Sequence, residues 1–279
     1  DEEYLFHILC KILYSICEDE RFFLICTSII IVLPLAITYI KNVKRMPLLV
    51  FLLFMGMDMF AMIFSGLRQA MAVSFVFAAY PLFIKRKTVK YLLVTVFASL
   101  FHISALVGIL FYIAYNIKIS RNVFVWFFIP VFLIAYLLRH EIIDLMIRLL
   151  SYINPRYGNY DYEAATGGGL SFFVYFITVV VMYIFDTDDE QFIRMRSVML
   201  LAAFIQMFTT VHTLAGRITL YIVPMFPLVV EMILNSKKVR YLGYSGVGGF
   251  CYYGYAVYKI IMLLLVGSLN IVPYLFFWQ

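Results

Sequence analysis

The chain reads as an all-α polytopic membrane protein, and three observations predict this class. Of its 279 residues, 65% are hydrophobic and 14% charged, with a mean hydropathy of +0.96, whereas soluble domains average roughly 45–50% apolar and about 25% charged. The apolar residues gather into runs near the ~20 residues that a helix needs to cross the hydrocarbon core. Between the runs stand short basic clusters, KNVKR at 41–45, KRKTVK at 85–90, NIKISRN at 116–122 and NSKKVR at 235–240, an arrangement in which positive charge marks the inner side. The formal charge of +6, from 22 basic and 16 acidic residues, is therefore assigned to topology and not to nucleic acid. A single membrane domain over 1–279 is expected, with about eight transmembrane helices plus one re-entrant helical hairpin. Cys10, Cys17, Cys26 and Cys251 form no CxxC pair, so neither a zinc site nor a redox motif is predicted.

In chain order, residues 1–21 set charge among apolar positions 5, 8, 9, 12, 13 and 16, a helical period with one wet face that predicts an interfacial segment on the outer side. Residues 22–40 form the first span and end at an inner cluster. Residues 46–64 return outward, SGLRQ turns at the outer surface, and 67–84 run back to KRKTVK. The next run, 91–115, is long for one crossing and short for two, and basic clusters flank both of its ends. We read it as a hairpin whose halves of about eleven residues rise roughly 16 Å, placing its turn near Phe101, His102 and Ile103 at the bilayer midplane. Broken backbone at that depth must lie against protein or a water-filled cavity. If 91–115 crossed once, the cluster at 235–240 would fall outside; the hairpin keeps every basic cluster inside.

Residues 123–138 go outward and 139–169 form the longest outer loop. Its first half, RHEIIDLMIRLLSYI, aligns Ile142, Met146, Leu149 and Ile153 and spaces Asp144 and Arg148 at i,i+4, which predicts a helix on the membrane surface. Its second half, NPRYGNYDYEAATGGG, carries Tyr157, Tyr160 and Tyr162 beside Asp161 and Glu163. Such rings suit sugar stacking and equally an aromatic belt at the interface. Residues 170–185 go inward, 197–211 outward, 218–234 inward and about 247–267 outward.

One echo runs through the pattern: SGLRQ and LAGRITLY both set glycine and then arginine at the outer start of an inward-running helix. Arginine in a first turn joins the positive end of the helix dipole and is mildly disfavoured. It gains a reason if the exposed N–H groups and the guanidinium fork together bind an anion such as phosphate. Arg68 and Arg217 are therefore candidate anion sites. The competing reading is that each snorkels to headgroups or pairs with an acid such as Asp58. His102 in the hairpin turn is the candidate titratable group, while His212 is read as a residue of the wet surface.

The order GLRQA (66–70), basic loop, SLFHISAL (99–106), tyrosine- and glycine-rich outer loop and GRITLY (216–221) resembles the EpsG family of exopolysaccharide biosynthesis proteins, regarded as Wzy-type polymerases. The resemblance implies a GT-C-like membrane glycosyltransferase of the bacterial plasma membrane. Its substrate would be an undecaprenyl-diphosphate-linked oligosaccharide, joined on the outer face during exopolysaccharide or capsule synthesis. By motif match it points to Arg68, Gln69, His102 and Arg217, with Tyr221 one turn after the last. Membrane lipids and other polysaccharide export and chain-length proteins are the implied partners, with no nucleic acid. The family's further N-terminal span and its acidic outer segment are not recognised here, so a base from that segment is left unassigned.

A lipid diphosphate leaving group needs charge stabilisation as the sugar–oxygen bond breaks, and outward arginines supply it without a metal. No DxD cluster occupies a suitable outer position, so no metal and no cofactor are expected. The acceptor hydroxyl needs a base within reach; His102 is named first, with Asp161 or Glu163 as alternatives. Gln69, Tyr221, Tyr157, Tyr160, Asp161 and Glu163 are read as substrate-binding. A transporter or flippase of lipid-linked saccharide is the alternative function, since carriers also use broken helices and intramembrane charge. The candidate polar groups cluster on the outer half with no matching inner set, which favours the enzyme.

Overall fold

The computed structural model describes residues 3–153, 168–185 and 187–266, and all regular structure among them is helical. In chain order the helices are α1 (Tyr4–Ile16), α2 (Glu20–Asn42), α3 (Pro47–Gly56), α4 (Asp58–Ser65), α5 (Leu67–Ala78), α6 (Tyr80–Ile84), α7 (Thr88–Ser99), α8 (Val107–Asn116), α9 (Arg121–Val123) and α10 (Ile129–Leu137). They continue with α11 (Arg139–Ile153), α12 (Gly168–Ile184), α13 (Glu190–Met207), α14 (Thr213–Thr219), α15 (Phe226–Asn235), α16 (Lys237–Tyr241) and α17 (Tyr244–Val266). Two compact units divide the chain, Asp1–Tyr112 with Leu220–Gln279, and Ile113–Thr219.

In the first unit, α2 starts where the Asp19 carboxylate accepts the Arg21 N–H at 2.9 Å, a side-chain cap for an otherwise orphaned donor. Pro34 lies inside this helix and, lacking an N–H, opens its hydrogen-bond ladder. The buried Ser74 hydroxyl of α5 donates at 2.7 Å to the Ile31 carbonyl just before it, tying α2 to α5. At the start of α3 the buried Glu231 carboxylate of α15 accepts the N–H groups of Lys44, Arg45 and Met46 at 2.9, 2.5 and 3.0 Å. Charge-assisted bonds of this kind are about twice as strong as neutral ones. Nearby, the Tyr39 hydroxyl donates to the Pro224 carbonyl at 2.8 Å.

The spans expected at 46–64, 67–84 and 218–234 are each interrupted. α3 and α4 meet at an angle of 51°, because Met57 between them is extended at φ −96°, ψ 157°. Gly56 at the bend packs so closely on α17 that a Cβ would stand 2.8 Å from the Ala256 carbonyl oxygen. Pro81 lies in the first turn of α6 just after the break at Ala79, Pro224 lies in the 3-10 turn before α15, and Pro227 lies in the first turn of α15; their missing N–H groups stop a continuous ladder. Among the described residues three helices are long and apolar enough to cross a membrane, Glu20–Asn42, Glu190–Thr210 and Tyr244–Leu265, or up to five if bent pairs count as single spans.

Residues 91–115 fold into an antiparallel helical hairpin of α7 and α8, turning at Leu100–His102. At its open end the Thr88 and Tyr112 hydroxyls are 2.8 Å apart and the rings of Tyr91 and Tyr112 stack at 4.8 Å. The Tyr91 hydroxyl donates to the Gly108 carbonyl at 3.1 Å. Gly108 permits this approach: a Cβ there would lie 3.1 Å from that hydroxyl and 3.2 Å from Val76. At the turn His102 is extended and a 3-10 segment, Ile103–Leu106, leads into α8. The Leu5 N–H donates to the Leu100 carbonyl at 3.3 Å, so the first turn of α1 attaches to the tip of the hairpin.

In the second unit α12 and α13 form a hairpin whose second helix is capped by Asp189, which accepts the Gln191 N–H at 2.9 Å. Arg194, nearly buried, bonds Glu190 at 2.8 Å and reaches the Tyr115 and Asn116 carbonyls at 3.5 and 3.4 Å. Lys118 also pairs with Glu190, at 2.9 Å. A π-helical turn at Phe124–Phe128 precedes Pro130, and the Phe124 ring stacks on Tyr183 at 4.1 Å. α11 is helical over the predicted stretch, but it buries Ile143 and Ile147 while Met146 and Leu149 stay exposed. The expected Asp144–Arg148 pair is absent from the ion pairs of the described residues; the net gain of an i,i+4 pair, about 0.3–0.5 kcal/mol, is too small to dictate side-chain placement.

Two substitutions test these contacts. Glu231→Ala strands the N–H groups before α3 and should lower stability by about 1–3 kcal/mol, read as an earlier thermal midpoint in detergent, with Glu231→Gln milder because its carbonyl still accepts. Gly108→Val overpacks the hairpin and should lower stability by about 1–3 kcal/mol in the same measurement.

Candidate functional site

The first unit brings three chain segments to one carboxylate. Gly66 precedes α5, which places Arg68 in the first turn of that helix. His102 occupies the hairpin turn, and Glu3 is the residue just before α1, held there by the bond from Leu5 to Leu100. The two oxygens of Glu3 are divided: Oε2 accepts from the Arg68 Nη1, and Oε1 is hydrogen-bonded to the His102 Nδ1. Burial is graded across the cluster, with side-chain exposures of 14% for Glu3, 24% for His102 and 55% for Arg68. The carboxylate is thus the enclosed member, and the guanidinium presents its remaining N–H groups outward. Glu3 also offsets the unfavourable placement of a cation at a helix N-terminus.

Beside this cluster the Ser104 hydroxyl lies 2.9 Å from the Tyr221 phenol oxygen, and Tyr221 is 1% exposed. Cys10 of α1 feels the same cation: burial pushes its thiol above the ordinary value, while its own backbone hydrogen bond and the Arg68 charge pull it back. Gln69 follows Arg68 in α5 and is buried. Among the described residues no three His, Cys, Asp or Glu side chains gather so as to hold a metal ion.

Set against the sequence reading, Arg68 lies in a first turn and takes Glu3 as its partner. His102 sits at the turn as expected, and Tyr221 reaches the hairpin through Ser104. Arg217 differs from expectation. It lies in the last turn of α14, a seven-residue helix of the second unit, and not at a helix N-terminus. The prolines that delay α15 account for this, and because α14 ends at Thr219, Tyr221 does not follow Arg217 on a shared helical face. His212, read as a surface residue, is fully buried; its Nδ1 accepts the Leu214 N–H at 3.0 Å at the start of α14. Tyr157, Tyr160, Asp161 and Glu163 lie outside the described residues. Glu3 and Ser104 were missed. Glu3 had a signal in the acidic run DEE directly before an amphipathic helix, where a carboxylate favours the helix start. Ser104 had none.

No curated protein and no solved structure matches the chain. The EpsG family model matches residues 1–276, which takes in the Arg68 turn, the hairpin and the Tyr221 segment together. The chain belongs to the EpsG family.

Proposed function

We propose that this membrane protein is a polysaccharide polymerase, a glycosyltransferase that joins undecaprenyl-diphosphate-linked oligosaccharide units on the outer face of the bacterial plasma membrane. Membership of the EpsG family gives a polymerase-like role in exopolysaccharide synthesis; the lipid carrier, the outer face and the metal independence are our reading. The observation that carries it is the convergence of Arg68 and His102 on Glu3. A cation able to meet a diphosphate and an imidazole able to take a proton stand side by side, although they are far apart in the chain.

In this reaction the acceptor sugar hydroxyl attacks the anomeric carbon of the donor. A new carbon–oxygen bond forms, the bond to the lipid diphosphate breaks, and the hydroxyl proton passes to a base. His102 is that base, and Arg68 binds the departing diphosphate in a bidentate fashion through N–H groups that Glu3 leaves open. Stabilising developing charge with a fixed cation is commonly the largest single catalytic contribution. Arg217 is proposed as an anion-binding residue on the strength of the motif match. Tyr221 shapes the site through the hairpin, and Gln69 supports the Arg68 turn. Tyr157, Tyr160, Asp161 and Glu163 remain proposed sugar contacts.

Purified protein in nanodiscs, given its lipid-linked repeat unit in EDTA, should produce a size ladder and release undecaprenyl diphosphate. Movement of intact lipid-linked unit across a vesicle, without elongation, would make the protein a carrier. Arg68→Ala should lower the rate about 10²–10³-fold, as loss of an oxyanion-stabilising donor does, with Arg68→Lys intermediate because it keeps charge without the fork. Ser104→Ala and Tyr221→Phe should each cost about 0.5–1.5 kcal/mol of stability, and the double variant less than their sum, because both remove the same bond.

A further inference from the structure

We infer that Glu3 is a positioning residue of the reaction, fixing which ring nitrogen of His102 is available to take a proton and holding Arg68 beside it. The inference rests on the polymerase reading above and adds to it the residue that makes His102 competent.

A carboxylate has acceptors and no donor. The contact between Glu3 Oε1 and His102 Nδ1 therefore requires the hydrogen of a neutral imidazole to reside on Nδ1, leaving the Nε2 lone pair for the acceptor hydroxyl. Such a carboxylate partner orients an imidazole and stabilises the imidazolium that forms when it takes the proton. The second oxygen of Glu3 is occupied by Arg68, which keeps the carboxylate from turning away. The charged and titratable neighbours fit this role. Arg68 comes from α5, His102 from the hairpin, Cys10 of α1 lies within reach of the Arg68 charge, and the Glu3 charge reaches Tyr221.

The geometry also separates two tasks. When the proton arrives on Nε2, positive charge appears on one side of Glu3. On the other side Arg68 meets the negative charge appearing on the leaving diphosphate. A single carboxylate keeps the proton acceptor and the anion binder in fixed register, so both charges develop against groups already in place.

The protein is labelled with ¹⁵N-histidine in nanodiscs, and His102 is assigned by the signal lost in His102→Gln. In the unsubstituted protein the His102 ring shifts should report the Nδ1–H tautomer, and Glu3→Gln should move them toward the Nε2–H form, while Glu3→Asp should keep the Nδ1–H form. Polymerisation by Glu3→Gln should show a kcat lower by about 10²-fold or more, in the range of losses seen when a general base is impaired, with KM for the lipid-linked unit within about threefold and partial recovery in Glu3→Asp. A His102 that is Nε2–H in the unsubstituted protein, or shifts and kcat unchanged in Glu3→Gln, would overturn the inference. If the unsubstituted protein does not polymerise, the polymerase reading falls by itself, and the nitrogen shifts still decide whether Glu3 sets the His102 tautomer.

Discussion

A helix that satisfies its own backbone can sit in hydrocarbon, but every interruption frees polar groups that need another partner. The first unit is built around meeting that demand. In α2, three residues before Pro34, the Ile31 carbonyl accepts a second bond from a serine of α5. Where the chain turns into α3, one buried carboxylate collects the N–H groups of Lys44, Arg45 and Met46. Where the hairpin turns at Leu100, the backbone of α1 supplies a donor. Each repair joins elements distant in the chain, so the tertiary fold follows from where the helices are broken. The breaks follow in turn from proline, glycine and extended residues at particular positions.

The candidate site is one of these repairs carried over to side chains. A guanidinium in a first turn and an imidazole N–H in a hairpin turn both need an acceptor nearby, and Glu3 serves both. Neither donor is deeply enclosed, with Arg68 55% and His102 24% exposed, so the cluster remains reachable by a ligand while its carboxylate is sheltered. Enclosing the acceptor and leaving the donors at the surface suits a site that must admit an anion beside a proton acceptor. The pair Ser104–Tyr221 braces the same turn from the other direction.

Much of this could be read from residues alone, and the gaps have physical causes. Run length between basic clusters disclosed the hairpin, and the half-lengths of its arms located His102 at the turn. Apolar runs disclosed α2 and α17. They did not disclose the bends, because hydropathy is blind to an extended Met57 or to the closeness of Gly56 and α17; prolines at 81, 224 and 227 were the legible warning. Arg217 was misplaced for the same reason: the glycine–arginine echo matched in sequence, yet prolines after Arg217 ended one helix before the next began. Glu3 escaped notice because a charge near the start of an amphipathic segment is ordinarily solvated. Its significance comes from a partner 99 residues away, and no local pattern carries that distance.

That separation bears on the order of events during synthesis. Glu3 leaves the ribosome well before the hairpin exists, and until α7 and α8 pack together there is no Leu100 carbonyl for Leu5 to reach and no imidazole for the carboxylate. The bond that ties the first turn of α1 to the hairpin tip therefore forms only once the hairpin has folded. The Glu3–Arg68 contact needs only α5, whereas the Glu3–His102 contact needs the finished hairpin, so the imidazole is the last member to join the cluster.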